Sequence, residues 1–272
     1  MKLAGKVALV TGGGRGIGRG VVEVLVREGA RVAIAEADRV VWTANQYWTK
    51  EIAGYQAAKA LAAELVAQGA EVIAIEADVT KVAEVKAMVA ATLRKWGRLD
   101  ILVNAAGVIT VNPVEALTED EWDSIMDTNV KGTFLCCQVV LAQMKQQGGG
   151  RIVNFASIAG KEGAPGLPHY CASKFAVVGF TNSLAKEVAR DNISVNAVCP
   201  GVVPTQMWVL LRRAYALPGE SEDESYRRTV ERLIPQGVDQ TAADMGEAVL
   251  FLVTNDHITG QALNVDGGAR LF

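Results

Sequence analysis

Seven short runs rich in Val, Ile and Ala recur along this chain, and between them lie longer stretches of helical pattern. The runs are residues 6–11 (KVALVT), 31–36 (RVAIAE), 71–77 (EVIAIEA), 100–106 (DILVNAA), 151–157 (RIVNFAS), 193–199 (ISVNAVC) and 262–266 (ALNVD). Most are apolar on both faces, as strands buried inside a parallel sheet are. Among the intervening stretches, residues 54–69 set Leu61 and Leu65 on one helical face and end at Gly69, a helix stop. Thr118 to Glu121 reads as a capping box that opens a long helix. This alternation predicts an α/β fold, a doubly wound parallel seven-stranded sheet with helices on both faces. Right-handed crossovers then place a ligand crevice at the carboxyl ends of the strands. Residues 1–272 read as a single domain, with no internal repeat or linker. Two segments break the rhythm: 38–55, crowded with Trp42, Tyr47, Trp48 and Tyr55, and the polar stretch 205–240.

Composition removes several function classes. Lys plus Arg is 27 and Asp plus Glu is 30, a net charge of −3, and no basic block offers a nucleic-acid footprint. No run approaches the ~20 apolar residues that span a bilayer. The first apolar run is short and leads into glycines, unlike a signal peptide. Cys136, Cys137, Cys171 and Cys199 lack C-x-x-C spacing and His partners, so neither zinc nor a disulfide framework is expected. They read as small buried hydrophobes. Together these features predict a cytoplasmic protein with no metal, nucleic-acid or membrane partner.

The first run leads into Thr11-Gly-Gly-Gly-Arg-Gly-Ile-Gly18 and then a helix. Glycines at 12, 16 and 18 allow a tight turn and the close approach of a pyrophosphate to the helix N-terminus. A glycine-rich loop alone is equally a plain turn; its place between a first strand and a first helix gives it meaning. Glu36 closes the second run, 18 residues after Gly18. A carboxylate there accepts hydrogen bonds from an adenosine ribose diol and repels a 2′-phosphate, which favours NAD over NADP. Arg15 and Arg39 pull the other way, because either could pair with a 2′-phosphate, and Asp38 is a second candidate carboxylate.

Residues 170–174, YCASK, set a phenol and an ammonium four positions apart. On a helix the two lie on one face. The ammonium favours the phenolate and lowers the phenol pKa, so that Tyr170 can exchange protons near neutral pH. By itself the pair is also a common surface spacing.

Taken in order, these motifs resemble the short-chain dehydrogenase/reductase family, in its compact single-domain, Rossmann-type branch, over nearly the whole chain. The glycine motif T-G-x-x-x-G-x-G matches Thr11 to Gly18, and the adenine-contacting acid matches Asp78. The N-N-A-G segment appears as Asn104-Ala-Ala-Gly107, with Ala105 in place of the second Asn. Asn129, Ser157, Tyr170 and Lys174 match the catalytic set; PGVVPT (200–205) matches the nicotinamide loop and VDGG (265–268) the C-terminal signature. The resemblance implies cofactor contacts at Gly12, Arg15, Gly16, Ile17, Gly18 and Glu36. It implies others at Asp78, Val79, Asn104, Ala105 and Gly107, and at Tyr170, Lys174, Pro200, Gly201, Val203 and Thr205. It further implies that Tyr170 is the acid/base and that Ser157 holds the substrate oxygen. Lys174 would hold the nicotinamide ribose, and Asn129 a proton-relaying water. A homotetramer is implied, built from helices near 118–147 and 168–190 and the C-terminal end.

Met207 and Trp208 after Thr205 loosely resemble the lid of acetoin/2,3-butanediol and polyol dehydrogenases of that family. By position Val108, Ile109, Leu167 and Val202 join them in lining a partly apolar substrate pocket. His169, beside Tyr170, reads as a pocket-wall or surface residue. The expected activity is NAD(H)-dependent interconversion of a secondary alcohol (a small polyol, hydroxyketone or cyclic alcohol) and its ketone. An NADPH-dependent reductase of oxoacyl-thioester type is the alternative, and a non-catalytic NAD(H)-binding regulator a third reading. The segment 38–55 is expected to cover the adenosine end of the cofactor or to pack on another subunit.

Overall fold

Each of the seven apolar runs forms a strand in the computed structural model, which describes residues 1–37 and 54–272. The order begins β1 (Val7–Thr11), α1 (Gly16–Arg27), β2 (Arg31–Glu36), α2 (Gly54–Ala67), β3 (Val72–Glu76), α3 (Val82–Trp96) and β4 (Ile101–Asn104). It continues with α4 (Glu119–Ile125), a wider π-helical turn (Met126–Lys131), α5 (Gly132–Gln146), β5 (Gly150–Phe155) and α6 (Pro168–Val188). It ends with β6 (Ile193–Pro200), α7 (Gln206–Ala214), α8 (Glu222–Leu233), α9 (Ala242–Thr254) and β7 (Ala262–Val265). Most of the 38–55 segment, with Asp38, Arg39, Trp42, Tyr47 and Trp48, lies outside the described residues.

All strand pairings are parallel, in the order β3-β2-β1-β4-β5-β6-β7. From β1 the chain winds outward through β2 and β3, then returns to β4 on the other side of β1. The carboxyl ends of β1 and β4 therefore diverge into a crevice at the point of reversal. β1, β4 and β6 are buried along their whole length, because helices cover both faces. Two large clusters form most of the core, one on each face: Val22, Ile34 and Val249 belong to the first, and Leu9, Met88 and Ile152 to the second.

Local signals account for the element ends. Thr118 and Glu121 exchange the two hydrogen bonds of a capping box, as their spacing predicts. Ser221–Glu224 and Thr241–Asp244 do the same for α8 and α9. The long helix expected over 118–147 is one run with a wider turn in its middle. The four cysteines are buried free thiols, and burial pushes Cys137 up to about 12. Among the described residues no helix is long and apolar enough to cross a membrane.

One contact was not legible in the pattern of apolar residues. α1 and α9 cross so closely that a Cβ on Gly20 would lie 2.3 Å from the Ala242 carbonyl oxygen. Gly20→Val is therefore expected to destabilise the fold by about 2–3 kcal/mol, through overpacking against backbone that cannot yield. Thermal denaturation should show a melting temperature several degrees below wild type.

Candidate active site

The crevice at the carboxyl ends of the strands is a cavity of about 730 Å³. One end is the β1–α1 turn. Gly12 (φ +65) has no room for a side chain, since its Cβ would meet the Ala106 backbone at 2.7 Å; the Cβ of Gly18 would lie 2.0 Å from the Gly12 carbonyl oxygen. Thr11 supports the same contact, its hydroxyl accepting the Ala106 N–H at 3.3 Å. The N-cap Arg15 supplies no side-chain cap, so first-turn N–H groups of α1 are left to meet an anion. Arg15, Gly16, Ile17 and Gly18 line the cavity beside Gly12.

Glu36 lies on the next wall and accepts the Gly14 N–H at 3.2 Å. Burial raises its pKa, against the opposing pull of the Arg15 guanidinium and the Gly14 N–H. The carboxylate and guanidinium are thus electrostatic neighbours at one subsite. Asp78 and Val79 line the cavity further along, and the Asp78 carboxylate accepts the Thr80 N–H at 2.9 Å. Ala105 and Gly107 line it from the end of β4, and Pro200, Gly201, Val203 and Thr205 from beyond β6. A glycine turn, uncapped helix N–H groups and a half-buried carboxylate fit a dinucleotide with its pyrophosphate on α1.

Asn104 departs from this wall. It is buried beneath the crevice, where its Nδ2 donates to Asn154 Oδ1 at 2.9 Å across the β4–β5 pair. The pleat explains this: successive strand side chains alternate faces, and Asn104 points into the packed side.

At the other end Ser157, Tyr170 and Lys174 come together. Ser157 caps a short 3₁₀ turn (Ile158–Gly160) after β5, and its Oγ accepts the Ala159 N–H at 3.1 Å. That leaves the serine proton to be donated into the cavity. Gly160 brings this turn against α6: a Cβ there would lie 2.8 Å from the Lys174 carbonyl oxygen. The sequence reading missed Gly160, whose only signal is its place three residues after Ser157.

Tyr170 and Lys174 occupy the first two turns of α6, which Pro168 opens. The Lys174 Nζ donates to the Phe155 carbonyl at 2.9 Å and lies 5.5 Å from the Tyr170 ring centroid. Burial pulls the Lys174 pKa down to about 8. The Tyr170 hydroxyl donates to the Met207 sulfur at 3.9 Å.

Asn129 sits in the π-helical turn and does not line the cavity. Its Oδ1 accepts the Val108 N–H at 2.9 Å, and its Nδ2 donates to the Val108 carbonyl at 3.0 Å and to Ser173 Oγ at 3.0 Å. A Cβ on Gly107 would find Asn129 Oδ1 at 3.4 Å and Lys174 Nζ at 3.6 Å, so both groups converge on that glycine.

Among the substrate-pocket residues, Val108, Ile109, Leu167, Met207 and Trp208 line the cavity, and Val202 does not. Gln240 holds the Val202 backbone on both sides, so its side chain turns away into a cluster with Val230 and Ile234. His169 is also corrected: it is neither wall nor surface but fully buried, with Nε2 2.7 Å from Thr110 Oγ1. Leu211, Tyr215 and Leu233 complete the wall. They were hidden in the polar 205–240 stretch, where α7 and α8 fold their few apolar residues inward.

A dinucleotide cleft that ends in a Tyr–Lys–Ser constellation defines an NAD(P)-dependent oxidoreductase acting on CH–OH groups. The chain matches the short chain dehydrogenase family over residues 6–216 and belongs to it. It is 38% identical to a sorbitol dehydrogenase of Cereibacter sphaeroides over 271 residues, 98% of each chain. It is 37% identical to a 3-oxoacyl-[acyl-carrier-protein] reductase of Staphylococcus aureus, over 97% of each chain. Its fold superposes on a variant of actinorhodin polyketide ketoreductase, crystallised with NADPH, with a TM-score of 0.87 and 36% identity over 99% of this chain and 98% of that one.

The buried lysine has a measurable signature. Below pH of about 8, Lys174 is charged in both the folded and the unfolded chain, and the cost of burying the charge is fully present. Between that value and the ordinary 10.5, the folded chain alone releases the proton, so stability from this group rises with pH. Cofactor-free wild type is therefore expected to gain stability relative to Lys174→Met on going from about pH 8 to about pH 10. Urea unfolding of both proteins at the two pH values measures it, and an unchanged difference would mean the ammonium is not desolvated.

Proposed function

We propose that this chain oxidises a small, uncharged secondary alcohol, a polyol, hydroxyketone or cyclic alcohol, to its ketone with NAD, and runs the reverse reduction with NADH. The observation that carries the cofactor choice is Glu36. It stands at the end of β2 inside the cleft, where it accepts a ribose hydroxyl and opposes a 2′-phosphate. Arg15 beside it is the feature that favours NADP, and the ketoreductase with NADPH keeps that reading in view.

A bound nicotinamide supplies the hydride acceptor. The chain's part is proton transfer and position. Tyr170 takes the hydroxyl proton at its phenol oxygen as hydride leaves the carbon; in the reverse direction it returns the proton to the carbonyl oxygen. Ser157, its lone pair already engaged by Ala159, donates to the same substrate oxygen and steadies the charge that develops there. Lys174 keeps a positive charge beside Tyr170 and reaches the ribose hydroxyls. Asn129 holds the Val108 backbone in place, and its π-helical turn is the candidate seat for a relay water.

The choice of a neutral alcohol over an acyl thioester rests on the walls. The substrate end is built mainly of apolar side chains, and Asp120 and Asp123 of α4 line the exposed edge of the cavity. An acidic edge disfavours an anionic carrier arm by like-charge repulsion. The sorbitol dehydrogenase relative supports the same choice. We read the protein as cytoplasmic and its assembly as a homotetramer; the exposed Trp122, Phe134 and Phe175 on α4, α5 and α6, the helices expected to pair, support the assembly.

Initial rates with NAD and NADP, against polyols, cyclic alcohols and β-ketoacyl thioesters, test the reading. Turnover with NAD on an alcohol supports it; turnover confined to NADPH and thioester ketones overturns it. Glu36→Ser is expected to move the NAD:NADP ratio of kcat/KM at least about tenfold toward NADP. Tyr170→Phe is expected to lower kcat by roughly 10²- to 10⁴-fold with the fold intact by circular dichroism.

A further inference from the structure

The apolar end of the cavity contains a phenol that the mechanism does not use. Tyr215 caps the carboxyl end of α7 and lines the cavity. Its ring packs on the cluster that holds Ile109, Leu167 and Tyr170. Among the described residues its hydroxyl has no hydrogen-bond partner, although the side chain is only partly exposed. Burial raises its pKa, with Arg232 as a weaker opposing influence, so at neutral pH it is a neutral phenol that can both donate and accept.

Its position is built. The Tyr215 carbonyl accepts the Arg228 Nη2 at 2.7 Å, and that guanidinium is held by both carboxylate oxygens of Glu220, each at 2.8 Å. A bidentate arginine pair of this kind fixes geometry as well as charge. The same Arg228 therefore ties α8 to the end of α7 and sets where the Tyr215 ring enters the cavity. Trp208 is braced separately, edge-to-face on Tyr226 at 5.6 Å, with Arg212 stacked on the other ring 4.1 Å from its centroid. Tyr226 is anchored in turn by a hydrogen bond to Asp239.

We propose that Tyr215 is a specificity-determining residue that hydrogen-bonds a second oxygen of the substrate, so that the enzyme selects diols, polyols and hydroxyketones over simple secondary alcohols. This rests on the alcohol reading above and deepens it. Ser157 and Tyr170 serve the oxygen that reacts. A second oxygen on the same small substrate would otherwise lie among Ile109, Leu167, Met207, Trp208 and Leu211, where a polar group without a partner costs free energy. The phenol removes that cost for a substrate that carries the second oxygen. A substrate that lacks it leaves the phenol unpaired in an apolar wall. Discrimination then comes from both sides of one hydrogen bond.

The experiment compares kcat/KM with NAD for two matched pairs, butane-2,3-diol against butan-2-ol and cyclohexane-1,2-diol against cyclohexanol, in wild type and Tyr215→Phe. The phenylalanine keeps the ring that packs on Leu167 and Ile109, and thermal denaturation checks that the fold is retained. Wild type is expected to prefer each diol at least about tenfold, and Tyr215→Phe to lose most of that ratio, chiefly through KM. A ratio unchanged in the variant, or an equal fall on both members of each pair, overturns the proposal and leaves Tyr215 a packing residue. Wild type that oxidises the mono-alcohols as well as the diols overturns it while the alcohol reading stands. Wild type that oxidises none of the four but reduces a β-ketoacyl thioester overturns both.

Discussion

The structure depends on backbone meeting backbone at the carboxyl end of β1. Gly12 approaches Ala106, and the first turn of α1 packs onto Gly12 through Gly18, at separations where no Cβ fits. Any side chain at these points would push α1 off the sheet and fill the crevice between β1 and β4. With none, the N-terminus of α1 aims its unpaired N–H groups into the cleft, and the field of the helix favours an anion there. The glycine turn is therefore both a packing device and the electrostatic floor of the cofactor end.

The chemistry at the far end is set by what burial does to charge. Lys174 lies in an interior that pulls its pKa down to about 8, and the Phe155 carbonyl is its one direct anchor on β5. A cation held under that tension interacts strongly with a neighbouring phenol, because little water screens it. Asn129 serves the same end from a different element. Its side chain bonds the Val108 backbone and Ser173 Oγ of α6, which holds the segment after β4 beside α6. The candidate catalytic geometry is shared among the ends of β4 and β5, the π-helical turn and α6, and none of them makes the site alone.

The substrate end is organised differently. α7 and α8 are joined by the ion pairs Arg212–Asp223 and Arg213–Glu222, and Arg228 of α8, held by Glu220 in the turn between them, reaches the Tyr215 carbonyl at the end of α7. The exposed pairs add little stability in water. What they do is orient two short amphipathic helices so that Met207, Trp208, Leu211 and Tyr215 face inward. The polarity that made 205–240 look like a solvated surface belongs to the outer faces of those helices.

Strand and helix order, the glycine turn, the Thr118–Glu121 capping box and the Tyr170–Lys174 pair were all legible in the chain, because each is a local pattern with a local cause. Periodicity identifies buried strands, and i to i+4 spacing places two side chains on one face. Val202, Asn104 and His169 were misjudged because position in a motif does not say which way a side chain turns. Gln240 turns Val202 toward α8, the pleat sends Asn104 under the sheet, and Thr110 receives His169 inside the core. Gly160 and Tyr215 carried almost no signal, since their partners lie on other elements. The sequence by itself determined the fold and the crevice at the strand ends, and it named the candidate reacting groups that the fold brings together there. Only the tertiary structure decided which residues line the apolar end of the cavity, because that depends on contacts between segments far apart in the chain.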